Sequence, residues 1–142
     1  MAQQLKVKVQ STIISGEDRE SYTLVSRGRL RDTHEGISLT YEEGEGDSKS
    51  GYSTLTLLPG GEIKWHRVGA VKTDLTFAPG QRCEGKYQVP PFSFSIAVIP
   101  TQVEWTLGER GGEVSLGYTR ELEGDIARVT FRLWAEPEEE KQ

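Results

Sequence analysis

One cysteine, Cys83, in 142 residues excludes an intrachain disulfide. Asparagine is absent, a depletion that fits a thermophilic source or simple composition bias. No apolar run approaches the ~18 residues that a membrane helix needs, so no membrane span is expected. The opening residues, Met1 to Lys8, hold no apolar core of a secretory signal, and a cytoplasmic location is the simplest expectation. Excess positive charge is missing too: the formal net charge is -5, which opposes general nucleic-acid binding and favours solubility. The hydrophobic fraction, 35%, is too small for a sheet covered on both faces and suits strands with one wet face. No segment carries a sustained helical period.

What is present is alternation with a period of two. Leu5, Val7 and Val9 alternate with Lys6, Lys8 and Gln10. Tyr22, Leu24 and Leu30 alternate with Thr23, Val25 and Arg31, and Ile37, Leu39 and Tyr41 form the next set. Phe92 to Val98, Val103 to Leu107, Val114 to Tyr118 and Ala127 to Leu133 repeat the pattern. Such alternation marks strands with one buried face. Gly16-Glu17-Asp18, Pro59-Gly60-Gly61, Pro79-Gly80, Gly111-Gly112 and Glu123-Gly124-Asp125 punctuate the runs. Connections this short hold no crossover helix, so the strands must pair antiparallel. The expectation is an all-β fold: one closed antiparallel up-and-down β-barrel of roughly eight to ten strands over residues 1–135. Residues 136–142, acidic, are expected to form a disordered tail. The polar stretch Glu42 to Gly51 is expected to be a loop.

Several landmarks, taken in order, resemble the YwiB-like family of bacterial β-barrels of unknown function: Leu39-Thr40-Tyr41-Glu42-Glu43, Thr54-Leu55-Thr56-Leu57, Arg67-Val68-Gly69, Leu75-Thr76-Phe77 with Gly80, Tyr87, Pro91-Phe92, Thr101, and Gly112 through Tyr118. The resemblance covers nearly the whole chain. It implies a calycin-like (lipocalin-like) barrel and no established activity, and the lipocalin Gly-x-Trp signature near the N-terminus is absent.

Motifs for catalysis are absent. Gly46-Asp47-Ser48-Lys49-Ser50-Gly51 resembles a phosphate loop only superficially, since Lys-Ser/Thr does not follow its last glycine. Glu42 and Glu43 are neighbours on a strand and point to opposite faces, so they cannot face one another as an acid/base pair; a solvated strand end is expected. His34, His66 and Cys83 have no metal-ligand spacing, and His66 is expected at an outward or edge position. No enzyme activity, metal or cofactor is therefore expected.

Alternation places Arg67 on the face of Ile63 and Trp65, and Arg120 on the face of Leu116 and Tyr118, with Tyr41 and Tyr87 also in register with apolar neighbours. A buried guanidinium keeps its charge and must find a partner. Two readings stand. Arg67 and Arg120, with Tyr41, Tyr87 and Tyr118, bind the anionic group of a small amphipathic ligand in the lumen. Alternatively, the arginines are paired with internal glutamate, backbone carbonyls or rim solvent.

Outside, a hairpin turning at Gly16 to Arg19 sets Lys8 opposite Arg27 and Lys6 opposite Arg29, with Arg31 extending the row. Barrel closure adds Arg128 and Arg132. This basic stripe is either a protein or nucleic-acid interaction surface or an ordinary solvated face, partly neutralised in cis by Glu138 to Glu140.

Overall fold

The computed structural model describes residues 3–45, 48–108 and 110–138. Ten strands follow one another: β1 Gln3–Ser15, β2 Asp18–Asp32, β3 Ile37–Glu45, β4 Ser48–Leu57, β5 Ile63–Gly69, β6 Lys72–Phe77, β7 Cys83–Val89, β8 Phe92–Trp105, β9 Gly112–Leu122 and β10 Asp125–Pro137. Each pairs antiparallel with its sequence neighbours, and β1 pairs with β10, so the sheet closes with no free edge. The expected closed up-and-down barrel is thus present, at the upper end of the expected strand number.

Turn chemistry explains the connectivity. Glu123 and Gly124, at φ +49° and +83°, join Leu122 to its partner Asp125, the two left-handed positions of a tight hairpin turn. The first hairpin is equally tight: Ser15 pairs with Asp18 around Gly16 and Glu17. Two ladders shift register, one at Glu43/Gly44 and one at Pro100/Gln102, where a proline without an amide hydrogen interrupts pairing. The wall is thinnest between β6 and β7, which share paired positions only at Lys72↔Gln88 and Thr73↔Tyr87. There the amide of Thr76 donates to Cys83 Sγ (3.4 Å).

Side-chain alternation gives the barrel a lining, and the lining differs between its two ends. At the end carrying both the first and last residues of the described chain, Leu5, Val7, Leu39, Leu57, Ile63 and Leu133 are all essentially inaccessible. Leu107, from the β8–β9 connection, plugs that end. Gly28 supplies a close approach: a Cβ there would lie 2.9 Å from Val7 and 3.0 Å from Leu39. The core therefore fills one half of the barrel, and the other half opens toward the hairpin turns β1–β2, β3–β4, β5–β6, β7–β8 and β9–β10. Ten strands enclose a wider interior than the eight that side chains can just fill.

Two sequence expectations require correction. Strands β3 and β4 run through most of the stretch expected as a polar loop, leaving only Gly46 and Asp47 outside the described residues. β10 extends past residue 135, with Glu136 opposite Lys6 and Pro137 opposite Leu5. Pairing with β1 satisfies this backbone, which composition alone assigns to a tail; residues 139–142 lie outside the described residues.

Candidate functional site

Register brings a row of inward side chains together. Tyr41 pairs with Ser53, Ser53 with Arg67, Arg67 with Thr73, and Thr73 with Tyr87, across five consecutive strands. Parity alone places each residue inside, and the ladder places them side by side. On the opposite wall, Arg120 lies between Val98 and Ala127, and Tyr118 pairs with Val129. Between the walls lies a cavity of about 420 Å³ at the open half of the barrel. Leu24, Leu75, Ile96, Val98, Val129 and Phe131 form its apolar surface. Trp65 and Phe131, with ring centres 4.8 Å apart, contribute its aromatic part.

Arg67 does not offer a free charge. Its Nε and a terminal nitrogen donate to the two oxygens of Glu43 at 3.0 and 3.1 Å. The pair continues inward: Ser53 Oγ donates to Glu43 Oε1 (2.7 Å) and accepts from Trp65 Nε1 (3.0 Å). Directly opposite Glu43 on the ladder stand Gly51 and then Gly69, so the side chains that reach its carboxylate from β4 and β5 are Ser53 and Arg67, two positions further along each strand. Burial pulls the Arg67 guanidinium toward lower pKa, and Glu43 outweighs it, so the net shift is upward. The two-toothed geometry is the strong form of a charge-assisted contact.

Arg120 is different. Its nearest carboxylate is Asp125, at 3.8 Å from a terminal nitrogen and more than half exposed. Among the described residues its Nε is buried without a hydrogen-bond partner, and so is Thr73 Oγ1; both residues line the cavity. Tyr118, packed edge-on against Phe77 at 4.8 Å, is held well above the ordinary phenol pKa by burial, with Arg120 and Arg67 pulling the other way. Tyr22, half-exposed at the mouth, is raised first by desolvation and then by Glu43.

Four of the five residues singled out from the sequence, Arg67, Arg120, Tyr118 and Tyr87, line this cavity. Tyr41 does not. It is 1% exposed and packed in the core beside Ser53, its hydroxyl makes no well-formed hydrogen bond among the described residues, and burial followed by Glu43 drives its pKa far upward, with Ser53 pulling the other way. Glu43 overturns the expectation of a solvated strand end: β3 continues past it, so the parity that puts Tyr41 inside puts Glu43 inside as well, at 12% side-chain exposure. The alternation puts Trp65 on the inward face but does not single it out as a site residue, and it does not single out Ser53 or Thr73 either. All three share the inward parity of Arg67 on β4, β5 and β6, a signal that was available.

The outer basic stripe is rearranged. The tight first turn moves the register by two, so Lys6 faces Arg27, Gln4 faces Arg29 and Lys8 faces Val25. A shift of two keeps every side chain on its face, which is why the stripe remains outside. Arg128 lies opposite Ile14, at the far end of β1 from Lys6. Lys8 and Arg132 both lie against the Trp134 ring, at 5.8 and 5.7 Å from its centre. Glu138 caps Arg27 at 2.9 Å. Arg29 and Arg31 have no carboxylate partner among the described residues and line an outer groove with Arg27 and Tyr52. His66 sits on the outer wall against Asp74, and Cys83 is a half-buried free thiol. Among the described residues, no group of three His, Cys, Asp or Glu side chains could hold a metal ion.

A family model described as "Domain of unknown function (DUF1934)" matches residues 7–130. Among solved structures, the crystal structure of the ywiB protein from Bacillus subtilis is similar at TM-score 0.85 and 20% identity, over 97% of this chain and 94% of that one. At that identity the likeness shows a common fold. No curated protein matches the chain.

Proposed function

We propose, for a chain that belongs to the DUF1934 family of domains of unknown function, that the barrel is a binding protein whose lumen takes up one small amphipathic ligand. The observation that carries this reading is the half-filled interior. A cavity of about 420 Å³ is of ligand size, it is mostly apolar, and two buried polar atoms in its lining lack partners among the described residues. An unpaired buried donor costs stability unless something meets it. Arg67, Arg120, Tyr118 and Tyr87 are the polar contacts on this reading, and Tyr41 belongs to the packed core rather than to the cavity lining. The calycin-like barrel that the sequence resemblance implies agrees with this reading.

Native mass spectrometry of the purified chain tests the proposal. A co-purifying mass of a few hundred daltons, lost on denaturation, is the expected result. A clean apo mass, together with no uptake of small apolar probes, would refute it.

A second reading gives the outer groove along β2 and β3 to an acidic partner or a nucleic-acid backbone. The unpaired Arg29 and Arg31 favour it, and so does Glu138, a carboxylate of the chain itself already seated on Arg27. A salt-sensitive mobility shift of single-stranded DNA or an acidic peptide, removed by Arg29→Glu, is the expected signature. No shift of either at low salt disposes of this reading.

A further inference from the structure

The charges facing the cavity do not contribute equally. Arg67 and Glu43 form a two-toothed pair at 3.0 and 3.1 Å, both mostly buried, and together they present no net charge to the lumen. Arg120, on the facing wall, keeps its charge. Its contact with Asp125 is long, at 3.8 Å, and lies on the solvent side, where Asp125 is 57% exposed. Its Nε is buried and has no hydrogen-bond partner among the described residues. Arg67, Glu43 and Arg120 therefore leave the lining with one positive charge and one vacant charged donor.

We infer that the lumen selects a monoanion: the anionic group of the ligand is held by Arg120, its apolar body lies against Val98, Val129 and Phe131, and the Arg67–Glu43 pair excludes a second negative charge. This rests on the lumen-binding reading and specifies it. A carboxylate or sulfonate meets the vacant donor without displacing Glu43. A dianionic phosphate brings a further charge close to the Glu43 carboxylate, and like charges repel strongly where water is scarce. Thr73, whose hydroxyl also lacks a partner, offers a second polar contact to a ligand atom along the neutral wall.

Three molecules with one apolar body test the inference on the full chain: 1-octanol, octanoate and octyl phosphate, displacing the neutral fluorophore N-phenyl-1-naphthylamine at pH 7.5. Octanoate is expected to displace the fluorophore at least tenfold more effectively than octanol, the factor that one charge-assisted hydrogen bond supplies. It is also expected to be more effective than octyl phosphate. Arg120→Met should bring octanoate down to the level of octanol, each competitor being scored against that variant's own fluorophore affinity. Arg120→Lys, which keeps the charge and loses the Nε donor, should retain part of the preference.

If the fluorophore binds and the three ligands compete equally, or if octyl phosphate is preferred, the inference falls and the lumen-binding reading stands. If the fluorophore does not bind at all, both fall. The wild-type comparison decides the outcome even if Arg120→Met does not fold.

Discussion

Glu43→Gln is the perturbation from which most follows. The substitution keeps the size of the side chain and removes its charge. One amide oxygen can still accept from Arg67, but the amide nitrogen then faces a guanidinium nitrogen and accepts nothing. Removing one partner of a fully buried ion pair costs about 3–5 kcal/mol, mostly because the other charge is left stranded. Arg67 is 25% exposed and Glu43 12%, so part of that penalty is relieved by solvent. A loss of about 2 kcal/mol is the expected net effect. For a chain of this length that lowers Tm by about 6 °C. Urea denaturation monitored by tryptophan fluorescence measures it, with the slope of the transition unchanged.

The companion variant Arg67→Met/Glu43→Leu removes both charges and should recover most of the loss, because a buried pair replaced by apolar groups is close to neutral. A loss below about 0.5 kcal/mol for Glu43→Gln, the range of an exposed pair, would refute the account of a desolvated, mutually dependent pair. Glu43→Gln also raises the net lumen charge by one, so octyl phosphate should gain on octanoate in the displacement assay.

Gly111→Ala should destabilise by about 1–3 kcal/mol, since Gly111 sits at φ +90° and a Cβ would lie 2.1 Å from the carbonyl oxygen of Ala135. Gly80→Ala, at φ +73° with open space around it, should cost less; equal midpoints in urea would contradict the packing of the β8–β9 connection onto β10. Stability should fall as pH rises above about 10, because the folded chain retains the Tyr41 and Tyr118 protons that the unfolded chain releases. The contribution is complete below the unfolded pKa and is lost above it at up to about 1.4 kcal/mol per pH unit per tyrosine. Tyr41→Phe should flatten the profile, and a wild-type midpoint constant to pH 11 would refute the burial of these phenols.

Much of the fold is legible in the sequence. Alternation at Leu5–Val9, Phe92–Val98 and Ala127–Leu133 identifies strands and assigns each side chain to a face, because the period of two belongs to the extended backbone itself. The short Gly-Pro connections require antiparallel pairing, and with it an up-and-down sheet. That is also why Arg67, Arg120, Tyr118 and Tyr87 are found inside: parity needs no knowledge of the partner strand. A polar sequence does not end a strand here: Glu43, expected at a solvated strand end, shares the parity of Tyr41 and lies inside, and Glu136, expected in a tail, pairs with β1.

The tertiary structure decided which inward groups meet. Glu43 and Arg67 lie 24 residues apart, and their contact depends on the register of β3, β4 and β5. Register is a property of turn geometry and of packing summed across neighbouring strands, so no local pattern contains it. A two-residue change in the first turn rearranged the outer stripe while leaving every face intact. The same dependence on closure determines that one half of the barrel is filled by leucine, isoleucine and valine, and that in the other half one arginine is neutralised while the second is left with a vacant donor.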